Sequence, residues 1–108
     1  MSFITDEQCE RAVIYLRDKS EEVGRLKGRM ARMDEERKIA REMAFLDAEG
    51  SVAERNAKAV ASRAYRDSVE AHQDATADYE TARLRWRAAE VAVEVWRSLN
   101  SRAGRGHV

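Results

Sequence analysis

The sequence has 108 residues and a formal net charge of zero, with charged residues at 37% and aromatic residues at 6%. A chain of this length corresponds to one domain with a small core, and its zero net charge excludes a general electrostatic attraction to nucleic acid. Together with the absence of proline, this composition is typical of long exposed helices and coiled coils. Intrinsic disorder is the alternative, but the apolar residues recur with helical spacing.

The single cysteine, Cys9, excludes an intrachain disulfide. It fits a reducing cytoplasm, where we expect it to pack as a small apolar residue. The longest apolar run, Ala12 to Leu16, is too short for a signal peptide or a membrane span. We therefore expect a soluble protein of the cytoplasm, or of the host cell cytoplasm if a phage encodes it, without a membrane partner.

The first predicted helix covers residues 5–47. Its start is marked by Thr5-Asp-Glu-Gln8, which matches a capping box. Apolar residues then recur every seven positions on two neighbouring lines, which predicts a coiled-coil seam; Lys19 and Arg37 interrupt it, and Gly24 and Gly28 predict either a bend or a close backbone approach. The seam residues are Cys9, Leu16, Val23 and Met30 on one line, and Ala12, Leu26, Met33 and Ala40 on the other.

Gly50 is the predicted hinge, within residues 48–51, because the apolar pattern fails just before it and Ser51-Val-Ala-Glu54 offers a second capping box. The second helix is predicted over residues 52–99, followed by a frayed basic tail over residues 100–108. Its apolar stripe is the strongest periodic signal in the chain. Tyr65, His72, Tyr79, Trp86 and Val93 form one line, and Val69, Thr76, Ala82, Ala89 and Trp96 form the neighbouring line.

Blocks of opposite charge favour folding at Gly50 over one continuous helix, which is the alternative. In an antiparallel hairpin, the basic stretch from Arg25 to Arg41 would run beside acidic Asp67 and Glu70. The prediction is an all-α protein: a long antiparallel helical hairpin, or coiled coil, that assembles into an oligomeric bundle or ring. Six residues of the second stripe are predicted to form the oligomer interface, namely Tyr65, Val69, Tyr79, Trp86, Val93 and Trp96.

The pattern offers no concave site for catalysis, and the two histidines lack metal-ligand spacing. His72 is predicted to lie in the core or at an interface. We therefore predict a protein that is not an enzyme and that has no catalytic residue, metal, cofactor or small-molecule substrate.

Two basic clusters are candidates for phosphate contact. The first consists of Arg37, Lys38 and Arg41, just before the hinge, where a solvated face is the alternative interpretation. The second consists of Arg97, Arg102 and Arg105, which extend past the start of the first helix, so that no acidic residue of the same chain is expected beside them. Trp86 and Trp96 fall on the apolar stripe, and we expect packing rather than base stacking from both.

The segment from Ser51 through Ala59 and Tyr65, continuing through Leu84-Arg-Trp86-Arg and Val95 to Arg102, resembles small phage recombination mediators of the UvsY type. The resemblance covers mainly the second helix, about half of the chain. In the first helix, Lys38-Ile-Ala-Arg41 is similar to the basic Lys-x-Arg element before the hinge of those proteins, with the lysine displaced by one position.

This resemblance implies a ring-like oligomer that binds single-stranded DNA and helps exchange a single-strand-binding protein for a strand-exchange recombinase. It also implies DNA contact by Lys38 and Arg41, and an oligomer core with a basic rim from Trp86, Trp96 and the segment from Arg97 to Arg102. The expected partners are single-stranded DNA, the recombinase, the single-strand-binding protein and further copies of the chain. The alternative function is a non-catalytic coiled-coil adaptor, such as a phage assembly factor or an inhibitor of a host protein.

Overall fold

The computed structural model describes residues 4–106, with side chains described as far as Arg102. Within this part of the chain the protein is all-α, as predicted. Helix α1 spans Asp6–Asp47, α2 spans Val52–Ala61 and α3 spans Arg63–Gly106. None of these helices is long and apolar enough to cross a membrane.

Both predicted helix starts are capped as expected, and the one at Thr5 has both reciprocal hydrogen bonds of a capping box. Gln8 N donates to Thr5 Oγ1 at 3.1 Å, while Thr5 N donates to Gln8 Oε1 at 2.9 Å. At the second start, Glu54 N donates to Ser51 Oγ at 3.2 Å. These side chains satisfy backbone donors that have no partner inside the helix, and they fix where each helix begins.

The predicted hinge at Gly50 is also confirmed. Gly50 has a φ of +118°, a conformation that residues with a side chain rarely adopt. A Cβ atom built on Gly50 would lie 2.6 Å from Glu54 Oε2. Glycine is therefore required at the point where the chain leaves α1.

The second half of the chain is two helices rather than the single helix predicted over residues 52–99. Ser62 adopts an extended conformation with φ −65° and ψ 145°. Its hydroxyl donates to Ala59 O at 2.7 Å and accepts from Tyr65 N at 3.3 Å. Ser62 thus ends α2 and begins α3, since a short hydroxyl side chain can replace backbone hydrogen bonds at both ends.

Helix α3 also extends through residues predicted to form a frayed tail. It continues to Gly106, and Asn100 Nδ2 donates to Trp96 O at 2.9 Å within it. Asn100 and Ser101 are weak helix formers, so the hydrogen bond from the Asn100 side chain to the preceding turn, and not intrinsic propensity, favours the extension. The end of the predicted tail, residues 107–108, lies outside the described residues.

The chain divides into two compact units. The turn unit consists of Arg25–Glu80. The end unit combines the described residues up to Gly24 with those from Thr81 onward.

In the turn unit, α1 and α3 run antiparallel. Arg29 Nη1 lies 3.1 Å from Asp78 Oδ2, Asp34 Oδ1 lies 3.8 Å from His72 Nε2, and the Arg37 side chain interacts electrostatically with that of Tyr65. The helices are offset from the predicted register: folding symmetrically about Gly50 would bring Asp34 beside Arg66, not His72. The short helix α2 and the break at Ser62 change the position at which α3 begins to run back along α1, and this change shifts the register.

Helix α2 is held against the end of α1 by two cations. Arg55 Nε donates to Phe45 O at 3.2 Å, and its guanidinium lies 4.3 Å from the centre of the Phe45 ring. Lys58 Nζ donates to Glu49 O at 2.7 Å. The last turn of α1 has no basic residue of its own, so α2 supplies the positive charge that a helix C-terminus favours.

In the end unit, the first turn of α1 contacts α3. Trp96 Nε1 donates to Asp6 Oδ1 at 2.8 Å. Cys9 is 7% exposed and Ala89 is 9% exposed, as expected for small residues on facing helix surfaces. The prediction that Cys9 packs as an apolar residue is confirmed.

The seam of α1 is confirmed, because its residues are half-buried or buried except for Lys19. On α3, one line of the predicted stripe is also confirmed, while the neighbouring line begins one position earlier than predicted. Its first members are Ser68 and the 1% exposed Ala75, not Val69 and Thr76. Both lines pack within the chain.

Gly24 and Gly28 do not mark a close approach. A Cβ atom built on either residue would meet no atom within 4 Å, and α1 continues as one helix through both. The predicted close backbone approach at these two glycines is therefore wrong.

Candidate nucleic-acid interface

The first basic cluster lies on α1 in the turn unit, where acidic neighbours hold two of its three members. Arg37 Nη2 lies 2.7 Å from Asp34 Oδ1, and Lys38 Nζ lies 3.3 Å from both Asp34 Oδ2 and Glu35 Oε1. Spacings of three and four residues bring these charges together on one helix face. The cluster is therefore a mixed network rather than a purely basic patch.

The network changes the proton affinities of its members. Hydrogen bonds from Arg37, and then from Lys38, hold the pKa of the Asp34 carboxyl below its ordinary value. The same carboxylate, and then Glu35, raise the pKa of Lys38. The hydrogen bond to Asp34 and then the interaction with Tyr65 raise the pKa of Arg37. All three groups therefore stay charged across the physiological pH range.

Arg37 faces α3 rather than open solvent. Its side chain is 30% exposed, and its Nε is buried without a hydrogen-bond partner among the described residues. The contact with Tyr65 and the neighbouring His72 places Arg37 in a polar layer between the helices. This location favours a role in setting the helix register, which a polar residue on a seam often has.

Arg41 differs from the other two members of the first cluster. It is exposed and borders an open groove with Glu42, Phe45, Val52 and Asn56. It takes part in no ion pair within the described part of the chain. Of the three cations, Arg41 is thus the one whose charge is not shared with a neighbouring carboxylate.

The second basic cluster lies at the end of α3 in the end unit. Arg97 and Arg102 are both exposed, and neither forms an ion pair with any residue that the structure describes. Trp96 already reaches Asp6 in the first turn of α1, so Arg102 lies beyond the acidic start of that helix. The side chain of Arg105 lies outside the described residues.

A simpler role for these arginines is to stabilise the C-terminal end of α3. Positive side chains in the last turns of a helix interact favourably with its dipole. That role and phosphate binding use the same exposed guanidinium groups, and neither requires a carboxylate partner. Binding measurements distinguish the two.

Arg87, next to Trp86, differs from the second basic cluster because it has acidic partners. Arg87 Nη1 lies 3.7 Å from Glu90 Oε1 and 3.5 Å from Glu94 Oε1. Both acidic partners lie on α3 itself, not across the hairpin. Asp67 likewise pairs with Arg63 of its own helix at 3.8 Å.

The six residues predicted to form the oligomer interface are all half-buried. Five of them, Tyr65, Tyr79, Trp86, Val93 and Trp96, lie on the lines of α3 that pack within the chain, and Val69 lies beside those lines. The large apolar side chains that are exposed in the described part of the chain lie outside this stripe. The assignment of these six residues to contacts between copies stays a prediction.

Such residues are present in both units. Among the described residues, the large apolar side chains that are at least 40% exposed are Val13, Ile14, Ile39, Met43, Leu46, Val52, Val60, Leu84 and Val91. The signal that could have found some of them is a second helical spacing outside the seam, as in Ile39, Met43 and Leu46. Among the described residues, no group of three acidic, histidine or cysteine side chains is arranged to hold a metal ion.

No protein-family model matches the sequence, and no curated protein or solved structure shows significant similarity to the chain.

Proposed function

We propose that this chain is a phage-type recombination mediator of the UvsY type, in which copies of the helical hairpin assemble and hold single-stranded DNA. In this role the protein helps load a strand-exchange recombinase in place of a single-strand-binding protein. The observation that carries the proposal is the pair of exposed arginines, Arg97 and Arg102, which have no carboxylate partner among the described residues.

The physical basis is release of counterions from the phosphate backbone. Each arginine that meets a phosphate displaces condensed cations, so affinity depends steeply on salt. One chain offers few such contacts. In an assembly the contacts are repeated in every copy and act on the same strand, which raises the effective affinity without a new site.

The need for assembly follows from the small core. The buried apolar residues are Cys9, Ala59, Ala75 and Ala89, and no large side chain is fully buried in the described part of the chain. Burial of apolar surface is the main source of folding stability, and four small residues supply little of it. Contacts between copies would bury the exposed apolar side chains as well.

Lys38 and Arg41 are proposed as secondary DNA contacts. Arg41 needs no rearrangement, whereas Lys38 must exchange Asp34 and Glu35 for a phosphate. Because surface ion pairs contribute little stability, breaking the contacts of Lys38 with Asp34 and Glu35 requires little free energy. Arg37 is packed against α3 and is proposed to act through the helix register.

The test compares two double variants in titrations with an unstructured oligonucleotide. Arg97→Ala/Arg102→Ala removes two proposed phosphate-binding groups, and the slope of log affinity against log salt should become shallower by about 0.7 for each phosphate that is no longer neutralised. The matched control, Arg25→Ala/Lys27→Ala, removes two exposed cations that also lack a described partner. Equal reductions of the slope in both variants would contradict a specific role for Arg97 and Arg102.

The second candidate function is a coiled-coil adaptor that binds protein through its helices. It is favoured by the acidic partners of Arg37 and Lys38, which reduce the positive charge available to a phosphate. In that case the arginines maintain solubility and register. Assembly without any salt-dependent binding of DNA would favour the adaptor.

A further inference from the structure

The outer face of α3 in the end unit carries an apolar stripe that the intrachain seam does not use. Leu84 is 60% exposed and Val91 is 40% exposed; Ala88 is also exposed and Val95 is half-buried. We call these four residues the outer α3 stripe. Their spacing of four, three and four residues is that of a coiled-coil seam, and their side of α3 is opposite the one that packs on α1.

We propose that the outer α3 stripe is a two-fold interface in which α3 of a second copy of this chain packs antiparallel. The inference deepens the proposed function and rests on its assembly step, not on DNA binding. A two-fold contact uses the same patch on both copies, so the patch must be complementary to its own reverse. The outer α3 stripe meets this condition.

The order of residues along α3 shows the complementarity. When Ala88 of one copy lies opposite Val91 of the other, Leu84 lies opposite Val95. One step further out, Thr81 lies opposite Ser98. Apolar residues thus meet apolar residues in the centre, and hydroxyl residues meet at both ends. The small side chain of Ala88 allows the two helices to approach closely at the centre.

The charges beside the stripe support the same arrangement. Arg87 and Glu94 flank it on one side, and they already attract each other within the chain across 3.5 Å. In an antiparallel pair, corresponding flanking positions face each other, so Arg87 of each copy would meet Glu94 of the other. This gives two reciprocal attractive pairs, whereas a parallel, in-register pair would place Arg87 beside Ala92 of the other copy, where no such pair forms.

A comparable stripe on α1 in the turn unit lacks this self-complementarity. Ile39, Met43 and Leu46 are 59%, 57% and 68% exposed. If Ile39 of one copy lay opposite Met43 of the other, Glu36 would lie against Leu46 at both ends of the contact. A charge buried against an apolar side chain opposes association. The α1 stripe is therefore the suitable control surface.

The first experiment measures self-association of the full chain by sedimentation equilibrium. Leu84→Glu/Val91→Glu should raise the dissociation constant on the order of a hundredfold, because each new carboxylate would be buried without a partner. Far-ultraviolet circular dichroism should remain unchanged, since both side chains are exposed within the chain. The control variant Ile39→Glu/Met43→Glu should self-associate like the wild type. The proposal would be overturned if the Leu84→Glu/Val91→Glu variant had the same dissociation constant as the wild type. It would also be overturned if the wild type were monomeric.

The second experiment tests the antiparallel orientation with single charge reversals. Arg87→Glu places two carboxylates against each other at each flanking pair, and Glu94→Arg places two guanidinium groups there, so each variant alone should associate more weakly than the wild type. An equimolar mixture of the two variants allows unlike chains to pair, and its association should exceed that of either variant alone. In the unlike pair, one flanking contact joins two introduced charges of opposite sign and the other joins the native Arg87 and Glu94. Failure of the mixture to recover would overturn the antiparallel pairing, because mixing cannot restore the intrachain contact between Arg87 and Glu94.

These outcomes are separable from the DNA proposal. A wild-type chain that pairs through the outer α3 stripe but does not bind an oligonucleotide would sustain the interface and refute the mediator function. A chain that binds DNA while the Leu84→Glu/Val91→Glu variant associates normally would refute the interface alone.

Discussion

The two units use different chemistry where α1 and α3 meet. In the turn unit, Asp34, Arg37, Tyr65 and His72 form a polar layer between the helices. In the end unit, half-buried apolar residues such as Trp86 and Val93 lie on the seam, and a polar contact across the helices joins Trp96 to Asp6. The turn unit therefore fixes its register through directional contacts, whereas the end unit gains more of its stability from apolar burial.

This difference accounts for the half-buried Arg37 on the seam of the turn unit, whereas Lys19 on the seam of the end unit is exposed. A polar residue on a seam lowers stability but selects one register and orientation. Beside the turn, Gly50 and the contacts of α2 with the end of α1 already bring the helices together. Far from the turn along the chain, apolar packing has to supply the attraction, because loop closure contributes less there.

The largest expected effect on the free energy of unfolding comes from removing an apolar side chain in the end unit. Trp86→Ala should lower the free energy of unfolding by about 2–3 kcal/mol, since a large but only half-buried side chain is removed. His72→Ala, two heptads earlier on the same line of α3, should cost less than about 1 kcal/mol. Urea unfolding at one protein concentration measures the free energy of unfolding of both variants. Equal decreases in this free energy would contradict the proposed difference between the units.

The next effect concerns the turn itself. Gly50→Ala should lower the free energy of unfolding by about 1–3 kcal/mol, because a residue with a side chain is strained at this φ and its Cβ would contact Glu54. The melting temperature of the variant, compared with that of the wild type, measures this loss of stability. Stability equal to that of the wild type would show that Gly50 can adopt another conformation.

Glycines in the middle of α1 should respond in the opposite direction. Gly24→Ala and Gly28→Ala should each raise the free energy of unfolding by about 0.5–1 kcal/mol, since alanine is the better helix former and space is open at both sites. Urea unfolding of each single variant measures the gain. A decrease in stability would indicate a contact at these glycines that the single chain does not make, such as one between copies.

The smallest effect is the pH dependence of the polar layer. Because hydrogen bonds from Arg37 and Lys38 lower the pKa of Asp34 from its ordinary value of 3.8, its contribution to stability is present above that pH and is lost as the pH falls through the lowered value. Asp34→Asn should therefore reduce the drop in melting temperature on acidification below about pH 4. An unchanged acid profile in this variant would contradict the role assigned to Asp34.

Sequence patterns predicted the all-α fold, the caps at both helix starts and the hinge at Gly50, because each depends on residues close together in the chain. They missed the break at Ser62, which has neither the glycine nor the proline that usually mark one. They also missed the tight packing at Ala75, since small residues on a seam carry little hydrophobic signal. The register near Asp34 depends on the length of α2, which no local pattern contains.

For the candidate site, sequence located the basic clusters but not their partners. Charges three and four residues apart can pair or repel, and only the side-chain arrangement shows that Asp34 and Glu35 hold Lys38 while Arg41 has no such partner. The assignment of the Tyr65 to Trp96 stripe to contacts between chains could not be tested by periodicity, because a seam within a hairpin and one between chains have the same spacing.

The most direct test of the central claim is the salt dependence of binding between the wild-type chain and an unstructured single-stranded oligonucleotide. We predict binding at low salt that weakens steeply between about 50 and 200 mM salt, with a log–log slope that corresponds to several phosphate contacts per assembly. The absence of binding at low salt, by a chain that is folded and assembled, would contradict the mediator function.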